Sequence, residues 1–78
     1  MYAIRAVFKH EDNDTTNYTY YDTYEFDTEQ DALDAINGEL GEELSAMATI
    51  DTENEEDLEG YYFDDLEPYE TGTEPWKE

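Results

Sequence analysis

Few side chains in this sequence could do chemistry, and most of them fail on their neighbours. His10, the single histidine, stands beside Glu11 and Asp12. A catalytic base needs a defined partner and a substrate pocket, and this stretch offers neither, so His10 reads as an ordinary exposed side chain. Ser45, the only serine, lies between Leu44 and Ala46 with no nucleophile motif around it. It reads as part of a buried helix surface. Cysteine is absent, which excludes a disulfide scaffold, an iron–sulfur centre, a thiol nucleophile and a cysteine zinc site.

Carboxylates are the one abundant reactive group. The chain carries 24 Asp and Glu against 3 Lys and Arg, a net charge of −21 over 78 residues. Pairs this common do not mark an acid–base site, which also needs a cleft between large walls. Two stretches, Asp12-Asn13-Asp14-Thr15-Thr16 and Asp51-Thr52-Glu53-Asn54-Glu55, alternate oxygen ligands like the opening of a calcium loop. Such a loop needs Gly at its sixth position and Glu at its twelfth. Counting from Asp12 those positions hold Asn17 and Thr23, and from Asp51 they hold Glu56 and Tyr62. Gly-rich phosphate loops are absent too. No metal or cofactor is expected, and no residue set supports an enzyme.

The charge itself is the functional clue. It repels nucleic-acid backbones and anionic membranes and favours a basic partner. A helix would fix the spacing of Asp34, Glu39, Glu42 and Glu43 and lower the ordering cost of binding, so these acids are the first candidates for partner contact. The run Glu53, Glu55, Glu56, Asp57 and Glu59 is the second, with a disordered, solvated loop as its alternative reading. Tyr21, Tyr61 and Tyr62 could anchor an interface, although aromatic residues in so short a chain more often build the core.

These residues need elements to hold them. Composition alone, with a mean hydropathy of −1.03, suggests disorder, but twelve aromatic residues argue for a core. In Tyr2–Lys9, Tyr2, Ile4, Ala6 and Phe8 share one face at period two, a half-buried strand. Tyr18–Phe26 repeats the pattern, with Tyr18, Tyr20, Tyr24 and Phe26 together and Thr19, Tyr21, Thr23 and Glu25 opposite. Glu11–Asn17 between them is rich in turn formers, so the two strands form an antiparallel hairpin with an acidic tip.

Thr28 then caps a helix whose apolar stripe runs through Leu33, Ile36, Leu40, Leu44 and Met47. Gly38 and Gly41 interrupt it, each at a cost of about 1 kcal/mol in a helix interior, so straight, kinked and two-piece helices all remain open. Ala48–Thr52 reads as a third strand and Gly60–Tyr69 as a weaker fourth, with a short helix over Glu55–Phe63 as the alternative. The expected architecture is α+β: an antiparallel sheet, made of the N-terminal hairpin and one or two C-terminal strands, packed against one main helix. Residues 1–70 make one domain and 71–78 a tail pinned by Trp76. No stretch approaches the roughly 18 apolar residues of a membrane span, and the opening residues do not resemble a secretory signal. The expectation is a soluble, cytoplasmic protein, monomeric or weakly dimeric.

Spread over a surface of roughly 5,000 Å², the acids average one per about 200 Å². A DNA duplex shows about one charge per 110 Å², so the densities match if most acids occupy one half of the protein. In size, charge and aromatic content along the whole chain, the sequence resembles the small acidic proteins of bacteriophages and mobile elements that imitate DNA. That group includes anti-restriction and anti-CRISPR inhibitors. The resemblance implies a non-enzymatic inhibitor that occupies the DNA-binding surface of a nuclease or CRISPR effector, its carboxylates taking the Lys and Arg that hold phosphates. Two other functions fit the composition. One is a halophilic protein whose charge serves salt adaptation; the other is an acidic adaptor for basic proteins in general.

Overall fold

A computed structural model describes residues 1–72. The chain forms an α+β fold in the order β1 (Tyr2–His10), β2 (Thr16–Phe26), α1 (Glu29–Ile36), α2 (Glu39–Asn54), a 3-10 turn at Glu56–Leu58, and β3 (Tyr61–Glu70). The three strands make one antiparallel sheet in the order β2-β1-β3. The hairpin expected from the turn-rich Glu11–Asn17 segment is present.

β1 takes the centre because it is the most apolar strand: Ala3, Ile4, Ala6, Val7 and Phe8 are all buried. Expected to be half-buried, it is covered on both faces. Ile4, Ala6 and Phe8 meet Leu44, Ala48, Leu58 and Leu66 in the core, with Ala35, Ile36, Leu40, Tyr61 and Phe63 packed around them. Phe8 and Phe63 meet edge to face across the β1–β3 ladder, their ring centres 6.1 Å apart. On the other face, which has no helix, Arg5 and the tyrosines of β2 and β3 shield Ala3 and Val7.

A bulge decides which tyrosines go where. Tyr2 pairs with Phe26 and Ile4 with Tyr21, so two steps on β1 oppose five on β2. The three extra residues invert the alternation. Phe26 therefore joins Tyr21 against the core, while Tyr18 and Tyr20 occupy the helix-free face. The single aromatic face expected from period two is thus split, and Tyr21 is a core residue.

Of the helix forms that Gly38 and Gly41 left open, the chain adopts the two-piece one, so the one main helix becomes α1 and α2. Asp31 N–H donates to Thr28 Oγ1 at 3.1 Å, the cap read from the sequence, and α1 ends at Asn37. Gly41 is buried where α2 packs against the end of α1; an added Cβ would lie 1.7 Å from the Ile36 carbonyl oxygen. Only glycine allows that approach.

The strand expected at Ala48–Thr52 is helix, the last part of α2. Its β-branched residues suggested β structure, but Ala48 follows Leu44 by one turn and is fully buried, an anchor that alternation would lose. Thr49 and Thr52 donate their hydroxyls back to Ser45 O and Thr49 O at 2.9 and 2.7 Å. The helix considered over Glu55–Phe63 shrinks to the 3-10 turn, because Gly60 adopts φ +85° and Tyr61 opens β3. There is accordingly one C-terminal strand, and it pairs with β1 from Tyr61 to Glu70 around a bulge at Asp64.

His10, expected to be exposed, is half-buried. Its Nδ1 accepts from Asp12 N–H at 3.1 Å and its ring meets Tyr61 edge-on at 5.0 Å. Thr71 N–H donates to Met1 O at 3.0 Å. The rest of the expected tail, with Trp76, lies outside the described residues.

The Tyr21 hydroxyl is buried without a hydrogen-bond partner. Burial, aided by the negative charge of Asp51, raises its pKa above the ordinary tyrosine value. The folded state therefore favours the protonated phenol. Its contribution is complete below about pH 10 and is lost as pH rises through the raised value. In an alkaline titration followed by tyrosinate absorbance, Tyr21 should ionise after exposed tyrosines. Tyr21→Phe should abolish that late step and leave stability unchanged or higher by up to about 1 kcal/mol, because an unsatisfied hydroxyl is removed.

Candidate partner-binding surface

The two sides of the molecule differ in charge. Arg5 and Lys9, the basic residues of β1, pair with Val7-flanking acids on the helix-free side of the sheet: Arg5 with Glu67, and Lys9 Nζ with Asp64 at 3.7 Å. The Arg5 guanidinium also lies over the Tyr18 ring, 4.3 Å from its centre. Burial opposes its charge, but Glu67, Tyr20 and Tyr18 outweigh that and raise its pKa. Tyr20 packs edge-on against Tyr69 at 5.1 Å. This side is aromatic, and each of its two cations has an acid partner.

The helical segment has no such pairs. From Asp27 to Glu59 the sequence contains thirteen acids and no Lys or Arg. α1, α2 and the 3-10 turn hold most of that segment. All nine acids named from the sequence are exposed: Asp34, Glu39, Glu42, Glu43, Glu53, Glu55, Glu56, Asp57 and Glu59.

The fold gathers them unequally. Glu39, Glu42 and Glu43 share the first turns of α2, where the positive end of the helix dipole supports them. Glu53 projects from the same outer side about 21 Å beyond Glu39 along the axis, a span over which one DNA strand carries roughly six phosphates. Glu55, Glu56, Asp57 and Glu59 continue beyond the helix end, around the 3-10 turn at Glu56–Leu58. Asp34 stands apart on α1, where Gln30 Nε2 donates to it at 3.0 Å.

Two features were not read from the sequence. Met47, assigned to the apolar stripe, is 49% exposed, and Ile50 is 54% exposed. Splitting the helix turns α2 so that Leu40, Leu44 and Ala48 face the core. Met47 and Ile50 then point outward beside exposed Ala46. The other feature is the Arg5–tyrosine face, hidden by the parity change in β2. Of the tyrosines proposed as anchors, Tyr21 and Tyr61 pack on the core, and Tyr62 alone is well exposed, at 45%.

The clefts are shallow. One of about 260 Å³ between β2 and the end of α2 is lined by Asn17, Thr19, Asp51, Glu55, Asp57 and Leu58. Among the described residues no group of three His, Asp or Glu side chains is placed to hold a metal ion. Asp51–Asn54, one of the two loop-like oxygen patterns, is helical. No described helix is long and apolar enough to cross a membrane.

Asp51 and Glu53 stand in the last turn of α2 and Glu55–Asp57 follow it, all near the negative end of the dipole, with no basic residue there. Each such charge costs about 0.3–1 kcal/mol, and salt screens it. Raising sodium chloride from 0.15 M to about 1 M should therefore raise Tm by about 5 °C, the equivalent of roughly 1 kcal/mol in a domain this size. Circular dichroism should show native structure already at the lower salt. A chain unfolded in dilute buffer and folded only in molar salt would instead show salt adaptation.

The chain matches no protein-family model, no curated protein and no solved structure.

Proposed function

We propose that this protein is a non-enzymatic inhibitor that mimics DNA, placing its helical side in the DNA-binding channel of a basic protein such as a defence nuclease or CRISPR effector. It would act in the cytoplasm that holds such enzymes. The carrying observation is the run of exposed acids from Glu39 to Glu59, uninterrupted by any basic residue and held on one helix and the ordered turns after it. Ordered carboxylates meet Lys and Arg with little entropy left to lose, and they release the ions that those residues hold.

The electrostatic asymmetry supports the same reading. A charge that served solubility alone gains nothing from keeping the helices free of cations while the sheet, among the described residues, holds two. Capture from a bacterial lysate tests the proposal, with the native chain beside a scrambled chain of equal charge and elution by increasing salt. The expected result is a DNA-binding enzyme retained by the native bait alone. Equal capture of assorted basic proteins by both baits would overturn it in favour of a general acidic adaptor or of charge without a partner.

A further inference from the structure

The acidic side of α2 has a gap. Between Glu43 and Asp51 the helix carries no acid, a stretch of about 12 Å along the axis. The outward positions of that stretch are Ala46, Met47 and Ile50, all exposed. Met47 and Ile50 are three residues apart, so their side chains are neighbours on one face. Glu39, Glu42 and Glu43 border them on one side and Glu53 on the other. A surface that copied only a phosphate row would hold charge here.

We infer that Met47 and Ile50 form an apolar docking spot for a basic amphipathic helix of the partner protein, framed by the acids of α2. The inference rests on the inhibitor reading for the class of partner and adds how that partner is selected. Charge complementarity selects the occupant: Glu39, Glu42, Glu43 and Glu53 frame the spot, and neither α1 nor α2 carries a Lys or Arg, so a cationic segment is the one attracted to it. The apolar pair fixes the rest, since an apolar centre inside a charged rim is the usual anatomy of a selective contact. A linear helical stripe is matched by a second helix whose Leu or Ile residues recur at three and four, with Lys and Arg outside them.

Each half of the spot has its own signature. Acid–base pairs weaken steeply with salt, whereas burial of Met47 and Ile50 does not. The apolar pair would thus let the protein choose among basic surfaces that attract it equally.

Calorimetric titration with two synthetic helical peptides of equal positive charge tests this. One carries Leu at i, i+3 and i+7; the other carries Ser there. The wild-type chain should bind the leucine peptide about tenfold more tightly at 0.15 M salt, and the preference should persist at higher salt. Met47→Gln with Ile50→Gln, exposed positions changed to a good helix former, should erase the preference while circular dichroism stays native. Equal affinity of the wild type for both peptides would overturn the inference. So would a preference that survives the double substitution. Failure of the inhibitor reading would show elsewhere, as lysate capture indifferent to the native fold.

Discussion

Gly41→Ala is expected to destabilise the protein by at least about 3 kcal/mol, enough to leave a large unfolded fraction at 37 °C in a domain this small. A single methyl group does this because of where it would point. Its carbon would sit 1.7 Å from the Ile36 carbonyl oxygen and 2.5 Å from the carbonyl carbon, both backbone atoms that no rotamer change can move. Relief requires α2 to withdraw from the end of α1, and α2 carries Leu44 and Ala48 into the core against Ile4 and Phe8. Helix propensity predicts the opposite, since alanine is better than glycine by about 1 kcal/mol in a helix interior. The experiment therefore discriminates. A thermal melt showing loss of cooperativity or a large fall in Tm fits the packed two-helix arrangement, and a stabilised variant would mean a continuous helix. Gly38→Ala is the control, because the nearest atom to an added Cβ there is 3.4 Å away.

Reversing Glu42 and Glu43 to Lys is expected to lower affinity for the captured partner at least 100-fold while leaving the fold native. Both side chains are exposed on α2, away from the core. Each reversal adds two charges, taking −21 to −17, so the reduced self-repulsion offsets the weaker match to the helix dipole. The loss in binding has two parts. A charged hydrogen bond contributes about 1.5–3 kcal/mol, and placing Lys against Lys or Arg adds repulsion. Binding assays should show the deficit shrinking as salt rises, because screening weakens both parts. An unchanged affinity would move the site to the turns around Glu55–Glu59.

Much of this fold was legible because local chemistry and tertiary packing agree. Ile4, Ala6 and Phe8 alternate and do face the helices, Thr28 does cap α1, and the turn-rich Glu11–Asn17 does close a hairpin. The misreadings have physical causes. Period-two reasoning assumes an unbroken ladder, and three extra residues in β2 sent Tyr21 inward and Tyr18 and Tyr20 to the other side. The β-branched residues of Ala48–Thr52 suggested a strand, yet the helix continues because Ala48 lies one turn beyond Leu44 and the threonines bond to the turn before them. Met47 left the stripe because Gly41 lets α2 start afresh against α1, with its own phase.

The candidate acids were readable one by one but not as a surface. Exposure of Glu39, Glu42 and Glu43 follows from the helical pattern alone. That Glu55–Glu59 are held in order depends on Leu58, buried in the core beneath them. The apolar gap at Met47 and Ile50 was invisible to sequence reasoning, which had already spent Met47 on the core.

Mimicry makes one claim that charge alone does not, namely that protein and duplex DNA compete for a single site. The direct measurement is fluorescence anisotropy of a labelled duplex bound to the captured enzyme, titrated with this protein. Competition predicts complete displacement, with an apparent affinity that weakens in proportion as the duplex concentration is raised. A ternary complex, in which the enzyme holds the labelled duplex and this protein together with anisotropy undiminished, would contradict it.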